Sequence, residues 1–327
     1  MSFRENLSRI ATRAVAGLMA AVALASCGGG TYQVNEFVPA RILTFGDENS
    51  MLVPPQGSKY TINGISTATE LPDCSLLPLW NQALASSFGM TYEACNPEAV
   101  ANPTAFDFTT VDATLDDVNT QVEAFLAGDS FNGNDLVTIW VGVHDILELY
   151  AEGSSGGDTS QLIVQARARG GLLAGLVNRI IGAGAKVIVL TIPDMGQSPF
   201  AFNEQNSHGD FDRVKLLSDM STNFNLALRS SVINDGSKIG LVLPDDYVNS
   251  AVRSPGSFGY APDAASVSGC LDTAPLPTCT EDTLVVDPLT STSTASLFLW
   301  ADPTPLGPTA HYAIGQQAVS RAHSNPF

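Results

Sequence analysis

Positive charge is scarce in this chain: 15 Lys and Arg stand against 33 Asp and Glu, giving a formal charge of −18 over 327 residues. Such a surface repels a phosphate backbone, which excludes nucleic acid as a partner, and an anionic membrane face is unattractive for the same reason. Charge of either sign is sparse at 15%, while 44% of the residues are hydrophobic. That is too much apolar material for a disordered chain and enough for a sizeable core. The five cysteines include no C-x-x-C pair, which argues against a structural zinc site. No G-x-x-x-x-G-K-[ST], G-x-G-x-x-G or H-E-x-x-H pattern occurs, so nucleotide-binding and zincin readings lack support. No internal repeat is evident.

Arg4, Arg9 and Arg13 form a basic start, and an apolar stretch runs from Ala14 to Ala25. The stretch is too short to span a bilayer as a helix, but it has the form of a secretory signal. Leu24-Ala25-Ser26-Cys27 is similar to the lipobox of bacterial lipoproteins. That resemblance implies acylation at Cys27, and Gly28 after it implies the outer membrane. The expected organisation is a signal peptide over 1–26, a lipid-anchored tether over 27–39 and one domain over 40–327. The membrane is then reached through the lipid anchor alone. Four cysteines remain in an exported chain, an even number that predicts two disulfides. Three pairings are possible, and sequence proximity favours Cys74–Cys95 and Cys270–Cys279.

Four continuous apolar runs read as buried parallel strands: 42–45, 136–142, 186–192 and 239–243. Amphipathic helices are predicted over 115–126, where Thr114 and Asp117 have capping-box form, and over 160–181, 212–233 and 308–322. Strands alternating with helices imply βαβ units, hence a three-layer α/β/α sandwich around a mainly parallel, flavodoxin-like sheet. Residues 250–296, rich in Ser, Thr, Pro and Gly, read as a long disulfide-pinned loop. Trp80, Trp140 and Trp300 sit beside apolar runs and are expected in the core.

Five blocks in order carry a family resemblance: FGDENS (45–50), LVTIWVGVHDIL (136–147), TIPDMGQSP (191–199), SPGSFGYAPDAASVSGC (254–270) and FLWADPTPLGPTAHYAIGQQA (298–318). They resemble the SGNH or GDSL hydrolases, esterases and lipases whose strand-end GDS carries the nucleophile and whose D-x-x-H carries the base. The resemblance implies acyl transfer to water, with a Gly and an Asn completing the oxyanion hole. Each catalytic position but one is altered here. Glu48 stands at the nucleophile position, Leu77 at the oxyanion Gly, His144 at the oxyanion Asn and Pro305 at the base, while Asp302 remains.

Three readings follow. In the favoured one the chain is a pseudo-hydrolase, a binding or structural module on a hydrolase scaffold, because function lives in the site and not in the fold. Its ligand would be an ester, lipid or glycan-like small molecule, with no cofactor and no metal. The second is an ester hydrolase with Ser50 as a displaced nucleophile and His311 or His144 as base, backed by Asp302. The bland alternatives are a turn serine at 50 and a helix-face histidine at 311. In the third, Asp47, Glu48, His144, Asp145 and Asp302 share the carboxyl ends of the strands and hold a divalent cation or activate water. Against it, Asp47 and Asp145 read as loop-bracing acceptors and Glu48 as exposed. His208 and His323 are expected to be solvated.

Overall fold

The computed structural model describes residues 36–54, 56–154, 158–286 and 291–324. The predicted leader, Cys27 and most of the tether fall in residues 1–35, outside the described residues. Among the described residues no helix is long and apolar enough to cross a membrane.

In chain order the strands are β1 (Arg41–Gly46), β2 (Leu52–Val53), β3 (Ser58–Lys59), β4 (Ala105–Asp107), β5 (Asp135–Trp140), β6 (Lys186–Leu190) and β7 (Ile239–Val242). Five of them form one sheet in the order β4-β1-β5-β6-β7, every pair parallel, and β2–β3 is a separate antiparallel pair. Counting only the strands of the large sheet, the order is second, first, third, fourth, fifth, the flavodoxin-like winding. The helices are α1 (Trp80–Ser87), α2 (Leu115–Leu126), α3 (Val143–Ser154), α4 (Thr159–Gly182), α5 (Pro199–Ser207), α6 (Arg213–Ser231), α7 (Pro244–Arg253), α8 (Pro255–Phe258) and α9 (Pro308–Ala322).

Alternate residues of each strand enter opposite cores, as a two-residue side-chain period requires. Leu43, Phe45, Val137, Ile139, Val187 and Val189 pack under α2, α3, α4 and α6. Ile42, Leu136, Trp140, Ile188 and Leu190 pack under α1, α7 and α9. The sheet is thus covered on both faces, which is why its strands read as unbroken apolar runs. The polar exceptions are satisfied inside: Thr44 lies opposite Thr138 across β1 and β5, Thr138 donates to Thr44 at 2.9 Å, and Thr44 meets the Tyr92 hydroxyl at 2.7 Å. All three tryptophans are fully buried. Both expected disulfides form, Cys74–Cys95 and Cys270–Cys279.

The structure departs from the sequence reading in several places. The run 136–142 stops as a strand at Trp140, because Gly142 turns with φ +127° and α3 begins at Val143. Edge strand β4 and helices α1, α3, α5 and α7 were not in the expected set; β4 and α1 are only three and eight residues long. Residues 250–296 are not all loop. Helix α7 continues to Arg253, α8 follows, and a helical turn covers Ala295–Leu297. Around the Cys270–Cys279 bridge, Ile62, Leu284 and Phe298 make a small core of their own.

Candidate active site

Two strand ends build the site. At the end of β1, Gly46 has φ +144°, and a Cβ there would lie 2.1 Å from the Trp140 carbonyl oxygen. Only glycine lets β1 pass so close to β5 before turning. Gln121 of α2 holds this turn from outside: its side chain accepts from Gly46 N at 3.0 Å and donates to Gly46 O at 2.9 Å. Asp47 N donates to Trp140 O at 3.1 Å, and Asp47 Oδ1 accepts from Asn49 N, capping the helical turn Glu48–Ser50. At the end of β5, Gly142 leaves no room for a Cβ either, which would meet the Phe224 ring at 2.5 Å. Two residues later His144 lies in the first turn of α3. The first and third strands of the sheet therefore deliver Glu48 and His144 to the crevice where the strand order reverses, the place where open α/β sheets bind ligands.

There the two side chains form a buried pair. Glu48 Oε1 lies 2.6 Å from His144 Nε2, and Glu48 Oε2 accepts from Asp112 N at 2.9 Å. His144 Nδ1 stands 3.8 Å from Asp112 Oδ1. Burial by itself pulls the imidazole's pKa down. The hydrogen bond and charge of Glu48, helped by Asp47 and Asp112, more than reverse this and raise it to about 9. Asp47, fully buried and beside Glu48, is pushed up to about 7, first by burial and then by the Glu48 charge. Its Oδ2 has no hydrogen-bond partner among the described residues. Glu48 is buried and not exposed as the bland reading had it.

A cavity of about 410 Å³ opens over this pair. Glu48, Asp112 and His144 are in its wall, with Tyr60, Phe200 and the segment Asp302–Pro305. Pro305, which the sequence resemblance sets opposite a catalytic base, lines the cavity. Burial raises the Asp302 pKa, and the Asp272 charge adds to it. Leu77, which the sequence resemblance sets opposite an oxyanion glycine, has a left-handed backbone with φ +48° and packs on the small core around Cys270–Cys279. Larger cavities of about 570 and 620 Å³ lie against Tyr92 and Phe106 and against Asn234 and Gly240, and neither contains any of these candidate side chains.

The remaining candidates are placed elsewhere. Ser50 is fully buried; its Oγ accepts from Trp80 Nε1 at 3.1 Å, its carbonyl accepts from Asn81 Nδ2 at 2.8 Å, and it does not line the cavity over Glu48. His311 of α9 is fully buried, edge-on to Trp140, with neither ring nitrogen hydrogen-bonded among the described residues. Burial, with a contribution from the Lys59 charge, holds it neutral with a pKa of about 3. A Ser50–His311–Asp302 relay is therefore not assembled. The five-residue cation cluster is not assembled either. Asp145 accepts from Leu115 N at 3.0 Å and faces Arg169 at 3.3 Å, bracing the start of α2, while Asp47 serves as a cap. The donor atoms within 4.8 Å of one another belong instead to Glu48, Asp112 and His144. Asp112, Tyr60 and Phe200 were missed by the sequence reading. None lies in a motif block, and only the folded chain brings them to the crevice. His208 is about half exposed and His323 is exposed, both as expected, and His323 also stacks on Phe88 and meets Glu36 at 2.9 Å.

No family model matches the chain. A phosphatidylcholine-sterol acyltransferase of Aeromonas hydrophila is 31% identical over 135 residues, which is 39% of this chain and 37% of that protein. The match thus spans well under two thirds of that relative. Among solved structures, a Bacillus subtilis protein is similar at TM-score 0.37 and 11% identity over 87% of this chain and 56% of its own. An acetyl xylan esterase variant from Geobacillus stearothermophilus is similar at TM-score 0.36 and 13% identity over 67% of this chain and 83% of its own. The chain resembles the SGNH/GDSL hydrolases at this distant level.

Proposed function

We propose that this chain is an exported, lipid-anchored envelope protein whose SGNH-like domain binds a small organic ligand instead of hydrolysing esters by the family's route. The observation that carries the reading is the closed Glu48–His144 pair at the nucleophile position. An acyl-transfer site needs an unencumbered nucleophile, a base and donors aimed at a developing oxyanion. Here the carboxylate at the nucleophile position has both oxygens engaged, by His144 and by Asp112 N. Its negative charge opposes an oxyanion in the same place. Proline at 305 has no proton to accept or donate. The displaced-nucleophile reading gains nothing from Ser50, whose hydroxyl is enclosed with Trp80.

Hydrolysis of short- and medium-chain p-nitrophenyl esters by the purified mature protein tests this. The expected result is no turnover above background in the wild type and none in Glu48→Ser, because Leu77 and Pro305 stay in place. Clear turnover in either would overturn it, and loss of that turnover in Ser50→Ala would assign it to the displaced serine. The anchor is tested separately by metabolic labelling with a radioactive fatty acid: label is expected in the wild type and absent from Cys27→Ala.

A further inference from the structure

We propose that the crevice between the Glu48–His144 pair and Asp302 is a receptor for an organic ammonium ion. This rests on the non-hydrolytic reading above and names the ligand of the same site. Three acidic residues line the cavity, Glu48, Asp112 and Asp302, and no Lys or Arg is among the described residues that line it. The one basic side chain in the wall, His144, is already matched to Glu48 at 2.6 Å. That leaves Asp112 and Asp302 in excess. The Asp302 carboxylate is half-buried and has no hydrogen bond or ion pair among the described residues, so its charge is open to a bound cation. In the ancestral arrangement this aspartate would orient a histidine; with Pro305 in that place its charge is free for another use.

The rest of the wall decides which cation. Tyr60 and Phe200 supply aromatic rings, and Leu147 and Leu276 are apolar. Aromatic faces beside carboxylates recognise ammonium groups carried on carbon, by cation–π attraction and contact with the alkyl part. A hard metal ion asks for oxygen ligands in number. The atoms best placed for one are engaged with each other: Glu48 Oε1 with His144 Nε2, and Glu48 Oε2 with Asp112 N. A volume of about 410 Å³ suits a small organic molecule and exceeds what a bare ion needs.

The test is calorimetric titration of the full mature protein with butyltrimethylammonium chloride, butylammonium chloride, n-butanol and calcium chloride. Saturable binding of an ammonium salt is expected, with none for butanol, and affinity should fall as sodium chloride is raised. Asp302→Asn should weaken ammonium binding by about tenfold or more, as loss of a partly desolvated charge implies, and Tyr60→Leu should weaken it by about threefold or more. Asp219→Asn, a surface carboxylate paired with Lys215, should change nothing. Thermal melts run alongside show whether each variant is folded; should Asp302→Asn not fold, Tyr60→Leu carries the test. Equal binding of butanol, no binding of either ammonium, or unchanged affinity in a folded Asp302→Asn overturns the proposal, as does displacement of ammonium by calcium at equal concentration. Ester turnover in the same preparation overturns the non-hydrolytic reading whatever the titration shows. Failed ammonium binding in an inactive protein overturns only the ligand.

Discussion

Two histidines flank strand β5, and the protein drives them in opposite directions. His144 follows the strand's C-terminal end, and His311 packs edge-on to Trp140, its last residue. Both are largely out of water, with the His144 side chain 14% exposed and His311 fully buried. Burial alone depresses both. The difference is a partner: Glu48 stands against one imidazole and makes it a cation with a pKa of about 9, while nothing answers the other, which stays neutral with a pKa of about 3. Desolvation sets the default, and one carboxylate at hydrogen-bonding distance reverses it.

The sharpest way to break this contrast is Glu48→Ala, which removes the hydrogen-bonding carboxylate and leaves the His144 imidazole only the weaker influence of Asp47 and Asp112. A loss of about 3 kcal/mol in urea unfolding at pH 7 is expected, the scale seen when one member of a buried ion pair is removed. His144, followed by NMR, should then titrate well below about 9.

The pH dependence separates the two rings. Because the folded-state pKa of His144 lies above its unfolded value of 6.5, its contribution is complete below about pH 6.5 and is lost as the pH rises toward 9. For His311 the folded value lies below 6.5, so its contribution is present above that pH and is lost as the pH falls toward 3. Unfolding free energies measured across pH should show Glu48→Gln relieving the alkaline loss and His311→Leu the acid loss. If the two variants change the same limb, the contrast is wrong.

Smaller effects sharpen it. Ser50→Ala removes the acceptor of Trp80 Nε1 and should cost about 1–2 kcal/mol in the same assay, as an orphaned buried donor does. At pH 7, His311→Leu should shift stability by less than about 1 kcal/mol, because its nitrogens make no hydrogen bonds to lose.

The fold was legible in the sequence where burial is uniform. Unbroken runs such as Lys186–Leu190 and amphipathic helices such as Leu115–Leu126 show their period along the chain, because each side chain's environment there is set by its place in one regular element. The short pieces were not legible: β4 is held as a strand by parallel pairing with β1, and α1 by packing of Trp80 and Leu84 against the sheet and α9. That Glu48, His144 and Pro305 stand inside blocks resembling a hydrolase site could be read from the sequence. The pairing of Glu48 with His144 across 96 positions, the arrival of Asp112 at both, and the seclusion of Ser50 and His311 could not. Residue types fix which groups can ionise or attack. Whether they do depends on distance and on access to water, and those belong to the packed chain, where segments remote in sequence meet.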